Sequence, residues 1–425
     1  MQLEKLFLTM HVITAAVGSV NATFWAPIEE LLPQCQTTRR CPGISDASWF
    51  RLGLERVLQV VASGRAFLQQ YGYKLDQCPS LGHYFEALKS PRRLKLATEL
   101  NQRLCAQLAQ TLPDPLAQFP ELEDFDLYAG DGHWHGAAAH DPLQGDCKRA
   151  VGHFYSLDLR RHTLRHLAVG EGKKEHDMHV LKRIETELLR QAAPKGQKVL
   201  YVWDKAGIDF LQWHRWKGQG IYVISLEKAN MSLQIQGQPK WDRNDPVNAG
   251  IKSVDLVAGA AGVLLRRIVY VEPVTGEELV FITSEMNIRP GVIAFLYKLR
   301  WDVEKVFDQL KNKLEEKHAW ATSPIAKAAQ ATFICLLHNV LLAIDQQLTD
   351  EGIENTAEQV RKAETTLKAQ AQAAAAGREI PAHVAAFQRI TQRSVKMLRW
   401  LRSSLQDRLP WDTATPRLRT LYASL

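Results

Sequence analysis

The segment FLYKLRWDVEKVFDQLKNKLEE, which starts at Phe295, carries four residues whose types could do chemistry together: Tyr297, Arg300, Glu304 and Lys311. At about 100° per residue, Leu296, Leu299, Val303, Val306, Phe307, Leu310 and Leu314 fall on one arc, the signature of an amphipathic helix. The four polar residues fall within about 60° of arc beside that apolar face. Trp301, Asp302, Lys305, Asp308, Gln309, Asn312 and Lys313 fill the solvent side. A guanidinium fork, an ammonium and a hydroxyl donor suit phosphate oxygens. A carboxylate is a hard oxygen ligand for a divalent cation. The plainer reading is a solvated face on which Arg300 and Glu304 form an i,i+4 pair, worth only a few tenths of a kcal/mol.

The spacing favours chemistry. Tyr297, two residues, Arg300, three residues, Glu304, six residues, Lys311 resembles the Tyr-Arg-Glu-Lys signature of a large family of DDE insertion-sequence transposases. The resemblance implies a ribonuclease H-like core with two aspartates upstream, one on the first strand and one at the end of the fourth. Asp131, in DLYAGD, and Asp204, ending KVLYVWD, are similar to those two sites. The resemblance covers roughly residues 120–345. It departs after IYVIS, where relatives carry a basic residue and this chain has Leu226-Glu227-Lys228. It implies catalytic and metal-binding roles for Asp131, Asp204 and Glu304, and grips on end phosphates for Tyr297, Arg300 and Lys311. Three carboxylates from three elements can hold two divalent cations about 4 Å apart. Mg²⁺ is the expected ion, with Mn²⁺ as a substitute. Some relatives trap a flipped base with an aromatic residue of an inserted β region, which singles out Trp241. Its plainer role is packing on that region's own sheet.

The elements needed to position these residues are legible. Residues 1–115 show helical spacing of apolar residues. From Phe125 the texture changes to short strand-like runs, then a helical stretch, then KVLYVWDKAG, a run typical of a strand buried on both faces. Residues 221–275 read as inserted β structure, with a hairpin turn around Thr275-Gly276. Helix returns at 290–345 and in most of the tail. The expected fold is α/β, a ribonuclease H-like mixed sheet flanked by helices, with a β-rich insertion and helical N- and C-terminal regions. Three domains follow: 1–115 for binding DNA ends, 116–345 for catalysis, and 346–425 for DNA contact or dimerisation.

Charge and composition agree with that scheme. The chain has 425 residues, a formal net charge of +7 and a pI near 9.0, a balance suited to a polyanion. Residues 378–419 hold nine Lys/Arg against three Asp/Glu, and Arg389, Arg393 and Lys396 would form a basic stripe on one helix face. Arg92, Arg93 and Lys95 make a weaker basic patch near the N-terminus. Six scattered cysteines argue against a disulfide framework. His133 and His135 would share a strand face and offer an alternative transition-metal site. Residues 6–22 are faintly signal-like, but a buried helix is the better reading. No other stretch reads as a membrane span.

The function expected is cut-and-paste DNA transposition on double-stranded DNA, both terminal inverted repeats and target. The chain would act as a homodimer when ends are paired, in a bacterial cytoplasm at the nucleoid, without a membrane partner. The alternatives are a metal-dependent nuclease on the same core that does not join strands, and an inactive DNA-binding regulator.

Overall fold

The computed structural model describes residues 18–423 except 42, 60–62, 75–77, 145–146, 149, 171–174, 176, 192, 260–261, 315–317 and 388–392. Most of the faintly signal-like N-terminal stretch, and Arg389, therefore lie outside the described residues.

One half of the sheet is built on five strands: β1 (Phe125–His135), β2 (Val151–Asp158), β3 (Leu164–Val169), β4 (Lys198–Val202) and β5 (Ile221–Leu226). β1, β2 and β3 are joined antiparallel, while β4 and β5 run parallel to β1, in the order β3-β2-β1-β4-β5. The sheet is therefore mixed and flanked by helices, the α/β class expected from the sequence. The parallel steps need crossovers, which helices supply. The apolar run Val199–Val202 is buried because β4 has a strand on each side and helices over its faces.

Four more strands extend the same sheet: β6 (Gln234–Gly237), β7 (Ile251–Ala258), β8 (Leu264–Val271) and β9 (Glu278–Thr283). β9 pairs antiparallel with β5, Phe281 opposite Leu226, and the sheet continues through β8 and β7 to β6. The expected insertion is thus no separate layer. Ile221–Leu226 belongs to the core, and the added strands lie between Glu227 and Thr283. β8 and β9 turn around Thr275-Gly276, where Gly276 takes φ +75°, a backbone region that glycine enters without a Cβ penalty.

The helices fall into two groups. Before the sheet come α1 (Val20–Leu31), α2 (Asp46–Leu58), α3 (Gly64–Tyr71), α4 (Leu81–Leu88) and α5 (Pro91–Thr111). Around and after it come α6 (Asp177–Arg183), α7 (Thr186–Arg190), α8 (Phe210–Gly218), α9 (Pro290–Leu299), α10 (Trp301–Asn312), α11 (Pro324–Asp350), α12 (Thr356–Ala375), α13 (Ala382–Ala386), α14 (Val395–Gln406) and α15 (Trp411–Ala423). α11 packs against α1, α2, α4, α5 and β3. One continuous apolar core accordingly runs from Val20 to Leu418. α11 is long and apolar enough to cross a membrane by length and composition, contrary to the sequence expectation that no such stretch exists. Its most apolar window is 78% buried inside the protein, as a helix that is apolar all round must be in a large core.

Buried amides close the β3 edge. Leu164 N–H donates to Asn339 Oδ1 at 2.8 Å, and Asn339 Nδ2 donates to Leu164 O at 3.0 Å and to Asn101 Oδ1 at 2.8 Å. This satisfies backbone groups that an open edge would leave unpaired.

The start of α9, the helix that leads into the site, tolerates no side chain. Gly291 N–H donates to Asn248 Oδ1 at 3.0 Å, and a Cβ there would lie 1.8 Å from Val247 O. Gly291→Ala is expected to destabilise by about 3 kcal/mol, because the clash is with backbone. Gly82→Ala in α4, where nothing lies within 4 Å, serves as the control and should be neutral or stabilising. Thermal melts of the two variants check this; equal melting temperatures would contradict it.

Candidate active site

Asp131 and Asp204 are neighbours because β1 and β4 are parallel and in register. Their last paired residues are Ala129 and Val202, and each aspartate lies two residues further on. β1 does not end at Asp131, as its sequence suggested. It continues to His135 against β2, with Asp131 opposite Tyr155. β4 stops, and Asp204 caps the turn Lys205–Gly207, accepting from Ala206 N–H at 2.8 Å.

The Tyr297–Lys311 segment is one helical path with a break at Arg300, where i,i+3 hydrogen bonds replace the α pattern. The break turns Arg300 inward. Arg300 Nη1 lies 3.4 Å from Asp131 Oδ2, and Nη2 lies 2.6 Å from Glu304 Oε1. The i,i+4 pair of the plainer reading does form, but with its Arg300 end buried (7% exposed) and its Glu304 end 36% exposed. Tyr297 is buried rather than on an exposed stripe, its ring 5.2 Å from Phe281 and 5.8 Å from the Arg300 guanidinium. Lys311 is exposed, and its charge is felt at His133.

The electrostatics tie the carboxylates together. Burial pushes the Asp131 carboxyl up to about 7; Arg300 and the Gly132 N–H pull against this, and the charges of Asp204 and Glu304 add to it. Burial also raises the Tyr297 hydroxyl, with Arg300 opposing and Asp204 and Glu304 reinforcing. A buried acid beside two others is a charge pattern that a divalent cation would relieve. The donor set, all hard carboxylate oxygens, fits Mg²⁺ or Mn²⁺. Among the described residues, however, no three His, Cys, Asp or Glu side chains are gathered closely enough to hold an ion. The Arg300 guanidinium sits between two of the three carboxylates instead.

Beside this cluster is a cavity of about 710 Å³ whose walls include Asp204, Lys205, Tyr297, Lys298, Arg300 and Trp301. Lys205, Lys298 and Trp301 were not singled out from sequence. Lys205 follows Asp204 directly, so its place beside the site could have been read. Trp301 was assigned to solvent and is half exposed at the cavity.

Other candidates stand elsewhere. Trp241 is partly buried against the main core, with the Arg243 guanidinium 5.4 Å from its ring. The basic stripe does not form: α14 begins only at Val395, with Ser394 as its cap, so Arg393 and Lys396 share no helix face. Arg393 is buried in an ion pair with Asp345 at 2.6 Å, and Lys396 Nζ donates to Leu421 O at 2.9 Å. Arg92 and Arg93 are spent on Asp46 and on the Ile44 carbonyl. Glu227, at the departure from the family pattern, pairs with Arg267 at 2.9 Å. His133 and His135 do share a face, and His153 and His166 join them, with rings 4.6–5.4 Å apart along the row.

Residues 151–340 match the family model described as transposase DDE domain. The match includes Asp204, Tyr297, Arg300, Glu304 and Lys311 and begins after Asp131. This stretch, with most of the mixed sheet and the helix bearing Glu304, is similar to transposase DDE domains. A piggyBac transposase, solved as a synaptic complex with hairpin DNA, is similar over 93% of this chain and 86% of its own, at 11% identity and a TM-score of 0.34. No curated protein sequence matches this chain.

Proposed function

We propose that the chain is a DNA transposase that cuts DNA at the ends of a mobile element and joins those ends to a target. The observation that carries this reading is that Asp131 and Glu304 both meet Arg300, with Asp204 two residues past the strand paired to β1, in and beside a stretch similar to transposase DDE domains. Asp131, Asp204 and Glu304 would hold two divalent ions, Mg²⁺ or Mn²⁺, which when bound supply an activated water or 3′-hydroxyl and stabilise the leaving oxygen. The protein's own part is positional. Tyr297, Arg300 and Lys311 would hold the phosphates flanking the scissile bond, and burial around Asp131 excludes bulk water. Double-stranded terminal repeats and target DNA are the substrates on this reading. Two chains act on two paired ends, and the bacterial nucleoid is the setting.

The test uses the full chain, linear duplex carrying the DNA that flanks its gene, and either Mg²⁺ or EDTA. Nicked and joined products in Mg²⁺ alone are the expected result. Nicking without joining supports a nuclease instead, and binding without either supports a regulator.

A further inference from the structure

A guanidinium that is nearly buried needs anions beside it, and the anions it touches are then no longer free for another cation. Arg300 is such a guanidinium, bridging Asp131 at 3.4 Å and Glu304 at 2.6 Å with a side chain that is 7% exposed. A divalent ion shared by these carboxylates and a guanidinium bridging them compete for the same oxygens. The guanidinium also has somewhere to go. Arg300 lines the cavity of about 710 Å³, Tyr297 and Trp301 lie with their rings 5.8 Å and 5.2 Å from its guanidinium carbon, and its buried Nε has no partner among the described residues.

We propose that Arg300 is an exchangeable counter-cation. It neutralises Asp131 and Glu304 in the ion-free chain, and it is displaced toward the cavity when a divalent ion binds. Displacement frees a planar fork of donors for a DNA phosphate. Ion and phosphate binding are thereby coupled, each favouring the state in which Arg300 has left the carboxylates. The proposal rests on the reading of Asp131, Asp204 and Glu304 as the ion-holding set.

The experiment titrates Mn²⁺ into the full chain without DNA, following free Mn²⁺ by electron paramagnetic resonance. The chains compared are wild type, Arg300→Gln, Arg300→Lys and Asp131→Asn. With the competitor removed, Arg300→Gln should bind Mn²⁺ about tenfold tighter than wild type, the scale of a lost charge-assisted hydrogen bond. Added guanidinium chloride should weaken that binding toward the wild-type value, and sodium chloride of equal ionic strength should not. Arg300→Lys should fall between, because one ammonium cannot span both carboxylates; it decides the matter alone if Arg300→Gln fails to fold. Equal or weaker Mn²⁺ binding by these variants, with binding lost in Asp131→Asn, overturns the role of Arg300 and leaves the ion-holding set standing. Undiminished binding by Asp131→Asn overturns the ion-holding set itself.

Discussion

Asp131→Asn and Glu304→Gln are each expected to lose strand cleavage by about a thousandfold or more while binding of end DNA survives. Ligand count and charge set the size of the loss. Each substitution replaces an anionic oxygen donor with a neutral amide, and bound ions contribute several kcal/mol of transition-state stabilisation. DNA binding should persist because Tyr297, Arg300 and Lys311, the groups proposed to hold phosphates, remain. A second readout separates a functional residue from a structural one. The Asp131 carboxyl is pushed up to about 7, chiefly by burial, so at pH 8 in EDTA its charge works against folding. Asp131→Asn should then melt no lower than wild type, although it is inactive. Nicking and band-shift assays on one DNA, with thermal melts beside them, check all three outcomes. Full cleavage by either variant, or a large fall in melting temperature for Asp131→Asn, would count against the assignment.

The second large effect is acid lability. His133, His135, His153, His166 and His338 are buried, and burial lowers their pKa values, to about 3 for His135 and His338, to about 4 for His133 and His166, and well below the ordinary value for His153. A group whose folded pKa is depressed stabilises the fold fully above its unfolded pKa, near 6.5 for His, and that contribution is lost as pH falls toward the folded value. Asp131 works the other way, because its folded pKa is raised and it favours folding as pH falls. Five imidazoles against one carboxyl leave a difference of about four protons. That corresponds to a loss on the order of 5 kcal/mol per pH unit below pH 6.5. Against a total stability of roughly 5–15 kcal/mol, the protein should unfold before pH 4. Asp126, Asp158 and Asp345, whose carboxyls are also raised, by burial above all, flatten the curve at its acid end. Urea melts across pH 4–8 measure the slope, and His135→Phe should remove about one proton from it. A stability unchanged between pH 7 and pH 5 would contradict the account.

How far the site could be read from sequence depended on the range of the interaction. The apolar run before Asp204 and the helical spacing of Leu299, Val303, Val306 and Leu310 are local, and both elements lie where those patterns put them. The strand order of the core followed from the resemblance. Asp302 and Gln309 were placed on the solvent side of the helix but are buried. Asp302 pairs with Lys305 at 3.0 Å, and Gln309 accepts from Arg393 N–H at 2.8 Å, because the C-terminal chain returns over a face that looked free. Arg393 misled for the same reason: its partner, Asp345, is distant in sequence. His153 and His166 were invisible as partners of His135, since only strand register brings them together. The extension of one sheet through β9 likewise rests on the pairing of Phe281 with Leu226, which no local pattern encodes.

The central claim is that Asp131, Asp204 and Glu304 share one place for divalent ions. Fe²⁺ bound in place of Mg²⁺, with ascorbate and peroxide, generates hydroxyl radicals that cut the polypeptide next to the metal. Mass spectrometry of the fragments should find three clusters of cuts, near residues 131, 204 and 304, all suppressed by excess Mg²⁺ and absent from Asp131→Asn. Cuts confined to the His133–His135 and His153–His166 strands, with none near 204 or 304, would contradict the claim.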